Sequence, residues 1–365
     1  MGFQPEDILD LVAYTINDLP NQELEYAFDH QEYFWSDMFE KDAIKIDGGT
    51  SVERYVVFDR TGNAKYRSMY DLDDPTIADH AHAINVHWAL LGTNASWDEF
   101  EILQQKNSKK GFINLIQTKM DDSIIDLADL IEETMISVPD SATDKKHPFT
   151  LPYFLRVFTD GSGTVNTSAG FNGQYVQYGN SSYGSIIAGI DSATEAKWRN
   201  WTGPYTAINA TFLKEVRRAF IKTHFRHPIL LKSPLIKKRA AKMRMIAGTD
   251  TVLDLMELVD QRDDNHVSTS KEPLGGMLVA DGDLVRLNRV PVLPVDTLDS
   301  ASYTPLYAFD LNYLQPFVHD GYWMNRKKPM VDRGQHTTYT VYTDGAHNVL
   351  PKNMQRLGFV MHKTS

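Results

Sequence analysis

Cysteine is absent from this 365-residue sequence. That excludes a disulfide framework, a thiolate metal site and a thiol nucleophile, and it fits synthesis in a reducing cytosol. An apolar run of the ~20 residues needed to cross a bilayer is also missing. The opening residues, MGFQPEDILDLVAYTINDL, lack both the basic segment and the apolar core of a secretory signal. The chain is therefore expected to be soluble and unexported, with no membrane partner. Five Asn-x-Ser/Thr matches, at Asn94, Asn166, Asn180, Asn200 and Asn209, then carry no functional weight. Positive charge is in deficit, 37 Lys+Arg against 48 Asp+Glu, for a formal charge of −11. A main surface built as a nucleic-acid groove would need clustered cations instead.

Catalytic signatures are lacking as well. There is no GxSxG elbow and no interpretable pair of carboxylates. Asp160-Gly161-Ser162-Gly163-Thr164 is glycine-rich, but it has neither the GxxxxGK[ST] of a phosphate loop nor the strand-GxGxxG-helix setting of a dinucleotide site, so it reads as a turn. His80, His82 and His87 cluster without HExxH spacing or a supporting carboxylate. No enzyme activity, metal or cofactor is expected.

What is present is a chain with 42% hydrophobic residues, enough for one large or two modest cores. An amphipathic segment, Ile8 to Ile16, leads through Pro20 into an aromatic run, Tyr26, Phe28, Tyr33, Phe34, Trp35 and Phe39. This reads as an arm seeking a surface, with Trp35 as a candidate contact to another subunit. Lys45-Ile46-Asp47-Gly48-Gly49 then opens a broadly alternating strand, Thr50 to Phe58. The turn Asp59 to Asn63 and a second alternating run, Ala64 to Tyr70, complete a predicted β-hairpin. Both faces carry polar groups, so the hairpin is expected to rest on a neighbouring subunit through Tyr55, Tyr66 and Tyr70, and to be removable without loss of the fold.

Ser96-Trp97-Asp98-Glu99 has the spacing of a capping box and predicts a helix from Ser96 to Ile136, about 60 Å long at 1.5 Å per residue. Its stripe is Ile113, Ile116, Met120, Ile124, Leu127, Ile131 and Met135, and Pro139 forbids continuation. Asp121, Asp122, Asp126, Asp129, Glu132 and Glu133 read as its solvated face. Short strands and turns from Pro152 to Tyr183 precede a distinctive block, GIDSATEAKWRNW, at Gly189 to Trp201. A second helix is predicted near Thr206 to Thr223, and strands from Met277 to the end. Between Lys214 and Arg244 lie eleven basic residues and one acid, Glu215. With few aromatics to stack bases, this stretch is expected to pair with the acidic helix of a neighbouring subunit, and Lys237, Lys238 and Arg239 are its candidate contacts.

Taken in order, the arm, the Gly-Gly-led hairpin, the long helix and the Gly189 to Trp201 block resemble tailed-phage major capsid proteins of the Hong Kong ninety-seven fold, an α+β architecture. The block is the most specific piece, through Gly189, Ile190, Asp191, Trp198, Arg199 and Asn200. The resemblance implies an N-terminal arm (1–42), an extended loop (43–75), a spine helix (96–136), a peripheral domain (150–225), a mainly axial domain (226–335) and a return to the peripheral domain (336–365). It implies a coat protein that forms hexamers and pentamers in an icosahedral head, assembled in the host cytoplasm and residing in the virion. The implied partners are a portal protein, packaged genomic DNA without sequence-specific contact and, since little chain precedes the spine, a separate scaffolding protein. Some relatives join a loop lysine to a distant asparagine; here that would require Lys65 or Lys45 with Asn348 or Asn353, and no crosslink is expected because no motif marks the acceptor. The alternatives are an encapsulin-like nanocompartment shell and, from a different class, a soluble hydrolase.

Overall fold

The computed structural model describes residues 34–58, 63–70, 72, 81–98, 100–101, 109–224, 242–264, 278–281, 284–331, 334 and 337–364. Helix α1 (Phe34–Lys41) leads to strands β1 (Ile44–Ile46), β2 (Ser51–Val57), β3 (Ala81–His87) and β4 (Ala89–Asp98), and then to the long helix α2 (Lys109–Ile136). After α3 (Leu151–Phe154) come five short strands: β5 (Gly170–Gly173), β6 (Val176–Gln177), β7 (Tyr183–Gly184), β8 (Ile186–Ile187) and β9 (Ile190–Asp191). Next are β10 (Asn200–Tyr205), α4 (Ala210–Thr223), β11 (Met243–Ala247), α5 (Thr249–Asp264), β12 (Leu278–Asp281), β13 (Leu284–Leu287) and β14 (Val290–Pro294). The chain closes with β15 (Leu306–Asp310), β16 (Leu314–His319), β17 (Asn325–Arg326), β18 (Met330–Val331), β19 (Thr338–Pro351), α6 (Met354–Leu357) and β20 (Gly358–Lys363).

Two sheets organise these elements. In the six-stranded sheet, β19 runs antiparallel to β4, from Thr338 opposite Asp98 to His347 opposite Ala89, and its far end pairs with β16. The eight-stranded sheet has the order β12-β13-β14-β11-β15-β20-β10-β5. Its central strand β20 is buried from Gly358 to His362 and lies parallel to β10 and antiparallel to β15. One face of this sheet shares a core with α1, α2 and the β2–β3 hairpin. The other is covered by α4 and α5. Strand β20 thus bridges strands from the 150–225 and 226–335 stretches, and β16, from the latter stretch, sits in the other sheet, so the sheets interleave the domain ranges read from the sequence.

The capping box is not a cap. Ser96, Trp97 and Asp98 are the last residues of β4, where Ala89, Leu91, Ala95 and Trp97 alternate inward, and Ser96 Oγ hydrogen-bonds Thr340 Oγ1 at 3.0 Å. Period-two burial against β19 outweighs a local capping signal. Asp98 takes the capping role instead, accepting the Phe100 amide at 2.7 Å. Helix α2 has 28 residues, about 42 Å at 1.5 Å per residue.

The hairpin also differs from its reading. Strand β2 pairs with β3, Ser51 opposite His87 through Val57 opposite Ala81, while residues 63–68 form no strand. The run Ala64 to Tyr70 has no apolar face to bury, whereas β3 supplies Ile84 and Val86, both fully buried. With Phe58 also buried and Val52 and Val56 packed on the same core, the base of the hairpin belongs to the fold, so removing the whole hairpin would not spare it.

Trp35 is likewise turned inward. It is completely buried within its own chain and stacks on Phe309 at 5.5 Å, so it is no contact to another subunit. Residues 1–33 of the arm lie outside the described residues. Nor is Glu132 part of the solvated face of α2, for it is 2% exposed and its Oε1 accepts the Ser36 amide at 2.8 Å. The carboxylate thereby caps α1, serving orphan donors at the positive end of that helix. Its Oε2 has no partner, and burial pushes its pKa up to about 7.

The folded protein holds this proton more tightly than the unfolded chain, whose Glu titrates near 4.5. The cost of the buried carboxylate is therefore absent below the unfolded value, grows between the two values and is complete above the folded one, on the order of 3 kcal/mol. Glu132→Gln is expected to match the parent near pH 4.5 in urea unfolding and to exceed it by about 2–3 kcal/mol near pH 8. An equal difference at both pH values would refute a carboxylate whose burial outweighs its hydrogen bonds to α1.

Candidate functional site: a hairpin and its socket

The block from Gly189 to Asn200 encloses a buried arginine. Strands β8 and β9 form a tight hairpin whose two turn residues, Ala188 and Gly189, have φ of 49° and 89°. Positive φ at both centres is the geometry that matches strand twist in a two-residue turn, and Gly189 adopts it without strain. Ile190 points into the core. Asp191 closes the following loop, accepting the Ala193 amide at 3.0 Å and the Thr194 hydroxyl at 2.9 Å. Hydrogen bonds from the Ser185 hydroxyl and the Ala193 amide hold its carboxyl below the usual range. Arg199 ties the same loop through the carbonyls of Ser192 (2.9 Å) and Ala193 (2.8 Å). Trp198, fully buried, donates its indole N–H to the Ile187 carbonyl at 3.1 Å.

Arg156 lies at the centre, 2% exposed. Its guanidinium donates to the carbonyl of Trp198 (2.9 Å), to Ser192 Oγ (3.2 Å), to the carbonyl of Gln174 (3.3 Å) and to Asn200 Oδ1 (3.3 Å). Every acceptor is neutral. Burial lowers its pKa to about 9, which leaves it charged at neutral pH. A buried cation without a counterion persists only when hydrogen bonds replace its lost hydration, and the block supplies them. Asn200 also reads the backbone of Arg156 in both directions: Oδ1 accepts its amide (3.1 Å) and Nδ2 donates to its carbonyl (3.0 Å). Gly173 leaves the space for this, because a Cβ there would stand 2.2 Å from Asn200 Oδ1.

The outside of the block is a socket for the hairpin. Lys197 Nζ donates to the carbonyl of Phe58, the Phe58 ring meets Trp198 edge-on at 5.6 Å, and the Asn85 amide donates to the Ala188 carbonyl at 3.0 Å. On the opposite face of β2 Glu53 accepts from Asn85 Nδ2 at 3.1 Å, and Tyr55 is 70% and Val57 66% exposed. Tyr66 and Tyr70 are fully exposed. Of the candidate contacts read from the sequence, Tyr55, Tyr66 and Tyr70 are on the surface and Trp35 is not, while Lys237, Lys238 and Arg239 lie outside the described residues. Arg156, Lys197 and Glu132 had no distinguishing signal; Arg156 sits between Leu155 and Val157, an arginine embedded in an apolar run.

The remaining motifs are structural. Asp160 closes its glycine-rich turn by accepting the amides of Ser162 (2.9 Å) and Thr164 (3.0 Å). The His82 ring packs on Phe58 at 5.2 Å, and His87 Nε2 contacts the His147 carbonyl at 2.9 Å; His80 lies outside the described residues. Among the described residues no three metal-ligating side chains converge, and no helix is long and apolar enough to cross a membrane.

Asn200→Ala removes hydrogen bonds to both backbone groups of Arg156 and to its guanidinium, and is expected to lower the urea unfolding free energy by about 3 kcal/mol, against about 1 kcal/mol for the less buried Arg199→Ala. Similar losses for the two would sink the central role given to the Arg156 cage. A second expectation concerns crosslinks. Lys65 Nζ donates to the Leu72 carbonyl at 2.8 Å. Asn348 is fully buried, accepting the amides of Phe149 and Val349 (2.8 Å each) and donating to the His87 carbonyl (2.7 Å). Asn353 caps α6 by accepting the Gln355 amide at 3.0 Å. With both amides committed inside their own chain, a denaturing gel of assembled particles is expected to show a single monomer band. A ladder of covalent multimers abolished by Lys65→Arg would overturn this.

No family model matches the chain, and no curated protein matches it in sequence. Solved structures resemble it over nearly its whole length. A chain of the cyanophage A-1(L) capsid asymmetric unit matches with a TM-score of 0.61 at 12% identity, covering 94% of this chain and 96% of that one. The capsid of the native GTA particle matches with a TM-score of 0.53 at 10% identity, over 96% and 95% of the two chains. The capsid of the empty GTA particle matches at 0.50 and 11% identity, over 94% of each. With its outward hairpin, long helix and two sheets, the chain has the α+β Hong Kong ninety-seven fold of these capsid proteins.

Proposed function

We propose that the chain is the major capsid protein of a tailed bacteriophage, a structural protein that assembles as hexamers and pentamers into an icosahedral head around double-stranded DNA. The observation that carries this reading is the match to a phage capsid chain over 94% of this chain and 96% of that one. The physics of the surface supports it. A hairpin whose Phe58 is held by Lys197 and Trp198, with Tyr55 exposed on its outer face and Tyr66 and Tyr70 exposed in the segment that follows, is a ready-made overlap onto a neighbour. Many modest contacts repeated by closed symmetry sum to a stable shell. A formal charge of −11 keeps such a shell from gripping packaged DNA through its phosphates.

In this reading its partners are further copies of itself, a separate scaffolding protein, a portal protein and the packaged genome without sequence-specific contact. Assembly takes place in the host cytoplasm and the final location is the virion.

Purified protein, co-expressed with its scaffolding protein, is expected to yield capsomers or shells by negative-stain microscopy. A strictly monomeric species by light scattering at high micromolar concentration overturns the proposal. The triple variant Tyr55→Ala, Tyr66→Ala, Tyr70→Ala is expected to keep the parental far-ultraviolet circular dichroism and melting temperature while losing closed shells; normal shells from this variant would remove the hairpin from the list of assembly elements.

A further inference from the structure

Two exposed helix faces of opposite charge are left without ion pairs to one another among the described residues. On α2, Asp122, Asp126, Asp129 and Glu133 recur at steps of three and four, so they form one stripe along the helix. None of them has a cationic partner among the described residues; the nearby Lys119 is engaged with Glu101 at 2.9 Å. The crowding is felt, because partial burial together with the charges of Asp122 and Asp129 raises the pKa of Asp126. Leu130, 48% exposed, flanks the stripe.

On α4 the buried side is Phe212, Leu213, Val216, Ala219 and Phe220, which sets Lys214, Arg217, Arg218, Ile221 and Lys222 outward. Arg218 pairs with Glu215 of its own helix at 2.9 Å, whereas Lys214, Arg217 and Lys222 have no acidic partner among the described residues. Ile221, 68% exposed, sits inside this cationic face and borders an open cleft of about 610 Å³. Phe220, Met243, Val290 and Pro291 give that cleft an apolar floor, and Arg244 and Arg289 add two more cations to its lining. The two faces cannot satisfy each other within one chain: α2 belongs to the core shared with α1 and the hairpin, and α4 to the core on the opposite face of the eight-stranded sheet.

We propose that the cationic face of α4, with the cleft beside Ile221, seats the acidic stripe of α2 from a second copy of this chain. The proposal rests on the shell-forming reading above and names one contact within it. Charge complementarity selects the occupant, since α2 offers four carboxylates over three turns and an exposed leucine beside them, the chemistry that the cations and apolar floor of the α4 cleft recognise. Solvated ion pairs of this type are weak one at a time and act through orientation and repetition, so the contact sets how copies meet more than how tightly a single pair holds.

Charge reversal tests it in the full chain. Lys214→Glu with Arg217→Glu, and separately Asp126→Lys with Glu133→Lys, are each expected to raise the protein concentration needed for assembly by about tenfold or more, read by light scattering and negative-stain microscopy. All four changes in one chain are expected to return that threshold to within about threefold of the parent, because every copy then presents both reversed faces. Circular dichroism identical to the parent confirms that the exposed substitutions leave the fold intact, and the neutral pair Lys214→Gln with Arg217→Gln is expected to give a smaller effect in the same direction. If the parent assembles and the α4 reversal assembles equally well, or if the fourfold variant stays as impaired as its folded parents, this contact is wrong while the shell reading stands. A parent that never assembles overturns both.

Discussion

The guanidinium of Arg156 is the constraint on which the rest of the structure depends. A buried cation with no carboxylate beside it must find a neutral acceptor for nearly every N–H, and those acceptors come from distant parts of the chain: Gln174 before β6, Ser192 and Trp198 in the block, and Asn200 at the start of β10. Satisfying one side chain therefore fixes where the Gln174 segment and the whole block stand. Any one of them moving away would leave a desolvated charge uncovered, a far larger penalty than the loss of an ordinary surface contact. This explains why the block combines a glycine turn, an aspartate-closed loop, a buried tryptophan and a two-faced asparagine.

Rigidity at the cage is passed outward. Trp198 and Lys197, placed by the cage, hold Phe58, and Ala188 holds Asn85, so both strands of the β2–β3 hairpin leave the body from fixed points. On the outer face of β2 Glu53 accepts from Asn85 at 3.1 Å, and Tyr55 and Val57 stand exposed. A hairpin with one face in the core and the other exposed divides one element into a folded face and an interacting face, which reconciles its contribution to the core with its proposed service between subunits. Glu132 plays a comparable part at the other end of the core, where a carboxylate on the spine helix receives the amide end of α1 and so orders the last turn of the arm against the body.

The sequence alone determined much of this. The period of three and four in α2, the alternation in β2, the helix near Thr206 to Thr223 and the succession of strands after residue 277 are local patterns. The Gly189 to Asn200 block was visible as a resemblance, and with it the fold class. What only the tertiary structure decided were choices between partners distant in sequence. Ser96-Trp97-Asp98-Glu99 reads as a helix start until β19 offers a ten-residue antiparallel partner for β4. The run Ala64 to Tyr70 follows a turn signal, yet β2 takes β3 because Ile84 and Val86 bring apolar area to bury. Trp35 and Glu132 gave no local hint of burial, since their surroundings, Phe309 for one and the end of α1 for the other, lie 274 and 96 residues away. Periodicity specifies which face of an element must be covered; what covers it depends on which distant segment can fill the space and pair the polar groups at least cost, and that is settled only when the whole chain is packed.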